Sequence, residues 1–240
     1  MFFKRTAFHG LKTLPAGLLF LSCVSHAGGI PTAISEVVTL EIGTEVTVEG
    51  KVVAASGLFQ SSYNDEGFSI HDGTGGLFIL TGKENLGLKR GEQVRVEGLV
   101  DNQSGTRAIG STEVVKVRRG PVVFSPSQVG QLAAECSCDP MSFTEGDIIT
   151  VRGTAVDDVQ PDSTYGFKLF LDDGSGVAQI FINTTADIDV EKIKDRLLTR
   201  GTDLCVRGVV ADFAGVGYEL LPRTRKDIRR ARPHKRNPCR

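Results

Sequence analysis

The sequence lacks the short motifs that mark common active sites. It has no HExxH, no G-x-S-x-G and no Walker-type segment, and it has only four histidines in 240 residues. Gly73-Thr74-Gly75-Gly76 is followed by a strand pattern, whereas a phosphate-binding loop is followed by a helix. His71 lies beside Asp72 at a strand end and is best explained as an exposed strand residue. We therefore predict a protein that is not an enzyme and uses no cofactor.

Metal-ligand spacing is also missing. The carboxylate groups of Asp157-Asp158, Asp162 and Asp172-Asp173 do not follow the spacing of a calcium loop, and Asp172-Asp173 fits turn geometry instead. The pair Cys136 and Cys138 lacks the CxxC spacing that is usual for zinc. We predict no metal site.

Long apolar runs are absent apart from one near the N-terminus. Lys4, Arg5 and Lys12 precede the apolar stretch Leu14–Val24, and Ser25-His26-Ala27 places small residues where a signal peptidase cleaves. The pattern predicts a signal peptide over residues 1–27, and hence a periplasmic or secreted protein without a transmembrane segment in its mature part. A buried N-terminal helix and a lipoprotein anchored at Cys23 are the weaker alternatives.

Charge is distributed unevenly along the chain. Removing the three positive charges of residues 1–27 changes the net charge from −1 to −4, and residues 223–240 hold nine Lys/Arg and one Asp. Residues 28–222 therefore carry about −12, and the last 18 residues carry +8. The acidic part opposes phosphate binding, whereas the basic tail favours an anionic partner.

Four cysteines remain after residue 27, and an even count in an exported protein favours disulfides. Cys136 and Cys138 are too close in sequence for an easy mutual bond, so we expect each to pair elsewhere. The strand alternation turns Cys205 outward, where it can reach a partner in the linker or in the tail. The disulfide candidates are Cys136, Cys138, Cys205 and Cys239.

An internal repeat is the strongest signal in the chain. GTEVTVEGKVV (43–53) matches GDIITVRGTAV (146–156), FSIHDGTGG (68–76) matches LFLDDGSGV (169–177), and LKRGEQVRVEG (88–98) matches LTRGTDLCVRG (198–208). Period-two alternation with glycine punctuation indicates strands, and Asp-Gly-Thr/Ser-Gly indicates hairpin turns. The second copy has a longer insert, 186–198, with helical spacing.

Each copy reads as five strands in about 75 residues, which is the plan of an OB-fold barrel. We predict an all-β protein with short helices, built from two tandem five-stranded OB-fold barrels. Short helices are expected at 32–40 and 127–134. The predicted organisation is a signal peptide (1–27), a first barrel (28–118), a linker (119–145), a second barrel (146–222) and a basic C-terminal tail (223–240).

These motifs resemble the bacterial exported OB-fold proteins of the nucleic-acid-binding, anticodon-binding-like type. The resemblance covers about 43–117 and 146–228 and is carried by G-x-x-V-x-V-x-G, the Asp-Gly-Thr/Ser-Gly turn and L-x-x-G-x-x-V-x-V-x-G. It implies a nucleic-acid-binding ancestry. Side domains of secreted nucleases share the pattern.

An OB fold binds its ligand on its second and third strands and the flanking loops, using aromatic and basic side chains. The candidate ligand-binding residues are Lys51, Phe59, Tyr63, Arg107, Arg152, Tyr165, Lys168, Phe213 and Tyr218. The cations of the basic tail form a second candidate surface: Arg223, Arg225, Lys226, Arg229, Arg230, Arg232, Lys235 and Arg236.

The predicted function is an exported binding module for single-stranded nucleic acid or another anionic polymer. One alternative is an envelope scaffold that contacts another protein through its acidic barrels. Another is a non-catalytic accessory relative of secreted nucleases.

Overall fold

The structure, a computed structural model, describes residues 30–60, 66–82, 84–103, 105–117, 145–174, 176–213, 217–232 and 239, without the side chains of residues 60, 66 and 213. Several predictions from sequence lie outside these residues: the signal peptide, the linker helix at 127–134, Tyr63, Cys136, Cys138, Lys235 and Arg236. The division of the chain into domains therefore remains a prediction. Within the described residues, no helix is long and apolar enough to cross a membrane.

The first barrel is a closed sheet with the strand order β1-β2-β3-β5-β4. Its elements are α1 (Ile34–Val37), β1 (Glu45–Gln60), β2 (Glu66–His71), β3 (Gly76–Leu80), β4 (Gln93–Gln103) and β5 (Thr106–Lys116). Burial alternates along β4, where Val94, Val96 and Val100 point into the barrel. The alternation predicted from sequence is thus the alternation between the inside and the outside of the barrel.

The turn between β2 and β3 confirms the predicted Asp-Gly-Thr-Gly hairpin. Gly73 adopts a φ of 99°, a left-handed conformation that favours glycine. Asp72 Oδ1 accepts hydrogen bonds from the amides of Thr74 (2.7 Å) and Gly75 (3.1 Å). The other oxygen of Asp72 accepts from the amide of Ile34 at 2.9 Å, which fixes α1 against the barrel. The turn therefore also holds the predicted N-terminal helix in place.

The second barrel repeats this plan with two added short strands. The sheet order is β11-β9-β8-β6-β10-β12, and a β10–β11 pairing closes the ring. Its elements are β6 (Ile148–Ala155), β7 (Gln160–Asp162), β8 (Gly166–Asp172), β9 (Val177–Asn183), α2 (Val190–Leu197), β10 (Asp203–Phe213), β11 (Gly217–Leu221), a 3-10 helix (Arg225–Asp227) and β12 (Ile228–Arg230).

Helix α2 lies in the insert that is specific to the second copy. Asp189 caps it by accepting a hydrogen bond from the amide of Lys192 at 3.2 Å. Val190, Ile193 and Leu197 are buried in the core of the second barrel. The helix predicted within 186–198 is confirmed, and the described chain has the predicted all-β architecture of two five-stranded OB-fold barrels with short helices.

The two barrels pack directly against each other. A separate apolar cluster joins Val53, Ala54, Phe59, Phe78 and Ala108 of the first barrel to Ile148, Val209, Ala211 and Leu221 of the second. The Phe59 and Phe78 rings meet edge to face, with centroids 5.9 Å apart. A side chain on Gly76 would overlap the backbone of Gly146, so glycine at these positions permits the close approach.

The segment after residue 222 continues the second barrel and is not a free extension over 223–232. Strand β12 pairs with β10, with Val206 opposite Ile228 and Cys205 opposite Arg229. Ile228 is fully buried in the core of the second barrel. The apolar residue among the cations explains why this part of the predicted basic tail is anchored.

Candidate anion-binding site

The ligand face expected for the first barrel is covered by the second barrel. Phe78 of β3 and Phe59 of β1 lie in the apolar cluster between the barrels, and Phe59 is only 8% exposed. Lys51 is half-buried, as is Arg107, whose backbone amide donates to Glu145 Oε2. Phe59 was predicted to bind ligand, but its burial in this contact leaves its ring no room to stack on a base.

Several half-buried polar groups also lie at the contact between the barrels. His71 Nε2 lies 3.5 Å from Asp147 Oδ1, and His71 Nδ1 accepts a hydrogen bond from the amide of Gly73 at 2.9 Å. Burial raises the pKa of Glu145, against the lowering effect of its hydrogen bond with Arg107. His71 thus holds the turn of the first barrel against the second barrel.

The corresponding face of the second barrel is open but carries little free positive charge. Lys168 on β8 forms an ion pair with Asp162 at 3.0 Å. Tyr165 is 42% exposed and Phe170 is 36% exposed. Tyr218 is 37% exposed, and burial together with nearby Glu145 and Asp212 raises its pKa. The side chain of Phe213 lies outside the described residues.

Glu219 is the carboxyl group most affected by its surroundings on this side of the barrel. Burial raises its pKa to about 7, and a hydrogen bond from Gln179 Nε2 (2.9 Å) opposes the rise. Asp172 and Asp173 lie at the end of β8. This face therefore offers aromatic and acidic groups and is poorly suited to phosphate.

A groove lined by arginines lies beside β12 and the C-terminal end of α2. Its volume is about 360 Å³, and we call it the arginine groove; its lining residues are Arg196, Leu197, Arg225, Ile228, Arg229, Arg230, Arg232 and Cys239. Among the residues that the structure describes, no acidic residue lines it. Four of its five arginines come from the segment predicted as the basic tail, and Arg196 comes from α2.

Two arginines of the groove are held by backbone carbonyls. Arg225 Nη1 donates to the carbonyl of Ile228 at 2.6 Å, and Arg230 Nη2 donates to the carbonyl of Arg196 at 2.5 Å. Within the described part of the chain, no ion pair joins an arginine of this groove to a carboxylate. The groove therefore keeps its positive charge, which suits an anionic ligand.

One lining residue of the groove, Cys239, belongs to a disulfide. Cys205 on β10 is bonded to Cys239, with Cα atoms 5.4 Å apart. Cys205 was predicted to point outward toward a partner in the linker or in the tail, and its partner, Cys239, belongs to the tail. Cys136 and Cys138, the other candidates for this pairing, lie outside the described residues. The bond ties the end of the chain to the sheet beside Arg229.

The remaining predicted cations occupy different environments. Arg152 is exposed on β6, directly opposite Cys205. Lys226 is exposed next to the groove-lining Arg225. Arg223 is only 1% exposed and forms an ion pair with Asp227, with Nη2 and Oδ1 2.9 Å apart. Arg223 is thus a structural residue, although it was predicted as part of a binding surface.

Sequence reasoning missed Arg196, because it lies outside the basic segment. Arg196 was detectable as a cation in the last turn of the predicted helix, a position where the helix dipole stabilises positive charge. Its proximity to β12 follows only from the three-dimensional fold. Among the described residues, no three His, Cys, Asp or Glu side chains converge as they would around a metal ion.

No family model and no curated protein matches this chain. Similar solved structures include the hypothetical protein ygiW from E. coli, at 20% identity and a TM-score of 0.31, covering 37% of this chain and 91% of that one. A murine DNA-binding protein bound to double-stranded DNA is 12% identical with a TM-score of 0.41, covering 73% of this chain and 90% of that one. A replication protein A heterotrimer bound to single-stranded DNA is 19% identical with a TM-score of 0.31, covering 37% and 80%.

The class of protein therefore rests on the strand order of the chain itself: two closed five-stranded barrels joined as a tandem OB-fold protein. Similarities at these identities and TM-scores assign no function.

Proposed function

We propose that this chain is an exported, non-catalytic binding protein that holds an anionic polymer in the arginine groove, with single-stranded nucleic acid as the named ligand. The observation that carries the proposal is the groove itself, whose described lining contains five arginines and no acidic residue. Like charges held this close repel one another, and a bound polyanion relieves that repulsion. Export is supported by the N-terminal charge and apolar pattern and by the Cys205–Cys239 bond.

The guanidinium groups suit phosphate in particular. A guanidinium presents a planar fork of donors that matches the oxygens of a phosphate, and it keeps its charge at any physiological pH. Binding of a polyanion here also releases condensed counterions, so the affinity must fall as salt rises. Salt dependence is therefore the expected signature of this site.

The test is fluorescence anisotropy of a labelled single-stranded oligonucleotide over a series of salt concentrations. The variant Arg196→Gln/Arg229→Gln/Arg232→Gln removes three charges from the groove. We expect it to lose about tenfold or more in affinity and to reduce the slope of log K against log salt by about 2, since each lost contact removes about 0.7.

A matched control removes three cations that are paired with carboxylates elsewhere: Arg95→Gln, Lys116→Gln and Lys194→Gln, whose partners are Glu49, Glu92 and Glu191. The control should bind nearly as well as the wild type. Equal loss in both triple variants, or no binding by the wild-type protein at low salt, would contradict the proposal.

A second candidate function is supported by the other side of the second barrel. Val156 (37% exposed), Phe170 (36%) and Val177 (57%) are exposed large apolar residues. The amide of Val156 donates to the carbonyl of Phe170, and Val177 lies opposite Asp172, so the three lie close together near the end of β8, with an acidic neighbour. Exposed apolar groups within an acidic surface suit a protein partner.

If the chain is a scaffold, a pulldown with the wild-type chain should recover a specific envelope protein. The Phe170→Ser variant should not recover it. The triple variant of the arginine groove should retain the same partner. If no partner distinguishes these two variants, the scaffold function is not supported.

A further inference from the structure

A second group of arginines lies on the outer face of the second barrel, next to the first barrel. Arg229 lies opposite Cys205 in the β10–β12 ladder, and directly opposite residues of an antiparallel pair point to the same side of a sheet. Arg207 follows Cys205 by two positions on β10, so it shares that side. Arg207 and Arg229 therefore extend from one face of the sheet.

The first barrel adds Arg90 to this group. Arg90 is exposed in the turn before β4, where the amide of Gly91 donates to the carbonyl of Val52 at 2.8 Å. Burial lowers the pKa of Arg207, and the charges of Arg223, Arg90 and Arg229 lower it further. The geometry agrees: the amide of Gly91 is bonded to Val52, and the carbonyl of the next residue, Val53, accepts a hydrogen bond from Arg223 Nη1 at 2.9 Å, so the turn that carries Arg90 lies beside the second barrel.

The nearby carboxylate, Asp227, is already paired with another arginine, Arg223. Among the described residues, Asp227 is the carboxylate whose charge raises the pKa of Arg90 and of Arg207. Its Oδ1 accepts from Arg223 Nη2 at 2.9 Å, and its Oδ2 accepts from Arg223 Nε at 3.0 Å. Arg207 Nε is buried without a hydrogen-bond partner in the described part of the chain. Arg90, Arg207 and Arg229, the junction cluster, therefore retain positive charge that no described carboxylate neutralises.

We propose that the junction cluster is a second phosphate subsite, and that the ligand is a phosphodiester chain that runs from the arginine groove to the first barrel. Arg229 connects the arginine groove with the junction cluster, because it lines the first and belongs to the second. This inference rests on the proposed function and extends it: binding needs both barrels, and the ligand must be long enough to reach both subsites. The path follows strands β10 and β12 and not the second and third strands of either barrel.

The experiment compares two labelled oligothymidylates, of about 4 and about 16 nucleotides, the range of site sizes for one OB fold. Arg90→Gln should weaken the binding of the longer probe by about tenfold, the loss of one charge-assisted contact, and lower its salt slope by about 0.7. We expect the shorter probe to contact the groove alone, so it should bind Arg90→Gln about as well as it binds the wild type.

Lys89→Gln is the matched control. Lys89 is an exposed cation one residue away from Arg90, so its substitution removes the same charge. A loss that is as large for Lys89→Gln, or as large for the short probe, would overturn the subsite. If Arg90→Gln binds both probes normally while the groove triple variant does not, the further inference fails and the proposed function stands. If polyglutamate of matched charge binds the wild type as tightly as the long oligothymidylate, the phosphodiester assignment is wrong.

Discussion

Arg223 is the largest fully buried side chain among the residues that the structure describes. Besides its ion pair with Asp227, it donates from Nη1 to the carbonyl of Val53 in the first barrel, at 2.9 Å. One side chain thus joins β1 of the first barrel to the 3-10 helix of the second. A buried charge that loses its partner is costly, because the remaining charge is left without compensation.

Replacing Arg223 tests this role. Arg223→Met leaves Asp227 buried and unpaired, so we expect the free energy of unfolding to fall by about 3–5 kcal/mol in urea denaturation. Arg223→Met/Asp227→Asn removes the orphaned charge and keeps an acceptor for the backbone amides of residues 223 and 224, so it should recover part of that loss. A double variant no more stable than the single variant would argue against this account.

Glu219 makes stability depend on pH. Burial raises its pKa to about 7 in the folded protein, so the folded state binds a proton more tightly than the unfolded state, whose pKa is near 4.5. The resulting stabilisation is fully present below about pH 4.5 and is lost as pH rises through about 7. Glu219→Gln should therefore be more stable than the wild type at pH 8, by about 1–3 kcal/mol, and similar to it near pH 4.5.

Thermal unfolding of both proteins across this pH range measures the effect of Glu219. A constant difference between the two proteins at all pH values would show that Glu219 does not titrate as described.

At the scale of elements, the C-terminal strand and its disulfide stabilise the arginine groove together. The Cys205–Cys239 bond closes a loop with a sequence separation of 34 residues. Loss of such a cross-link costs about 3–4 kcal/mol in the chain-entropy model. Cys205→Ser/Cys239→Ser should lower the free energy of unfolding by about this amount and weaken oligonucleotide binding, because Cys239 lines the groove.

Reductant provides the comparison for this prediction. It should reduce the stability of the wild type to that of the double serine variant and leave the variant unchanged. A wild type whose stability and binding do not respond to full reduction, confirmed by thiol counting, would contradict the role of the bond.

The strands and the helix in the insert were predictable, because period-two alternation and turn glycines are local signals. Val94 and Val96 point inward as their spacing requires, and Ile193 and Leu197 pack as the helical spacing predicts. The binding face was not predictable in the same way. Phe59 satisfies an aromatic ligand pattern, but its burial depends on the docking of another barrel, which no local pattern encodes.

The basic segment shows the same limit. Its charge was visible in the sequence, whereas its attachment through Ile228 to the core of the second barrel and its proximity to Arg196 depend on a pairing between β12 and β10. A single apolar residue among many cations gives too weak a strand signal to identify β12.

At the scale of the whole molecule, the two barrels form one packed unit. Gly76→Ala should disrupt it, because the added Cβ meets the backbone of Gly146 and Asp147. We expect a loss of about 1–3 kcal/mol in stability, as for other overpacked sites, and a larger radius of gyration in small-angle scattering. Gly75→Ala is the control, since its Cβ would meet Ile34 Cγ2 at an ordinary 3.4 Å. Equal behaviour of the two variants would argue against the direct contact between barrels.

The packing also separates charge across the molecule. One side of the second barrel carries Asp162, Asp172 and Glu219, and another carries the arginine groove and the junction cluster. The net charge of −12 for residues 28–222 therefore does not oppose an anionic ligand, because the cations are concentrated on one surface. The central claim is that this surface, and not the face of β8 and β9, binds the ligand.

The most direct measurement of that claim is an NMR titration of the full protein with single-stranded oligothymidylate, following the arginine Nε–Hε signals and the backbone amides. We predict that the signals of Arg196, Arg229 and Arg232 shift first, and that Arg90 joins them when the ligand is long. Shifts confined to β8 and β9, around Lys168 and Phe170, with the arginine signals unchanged, would contradict the account.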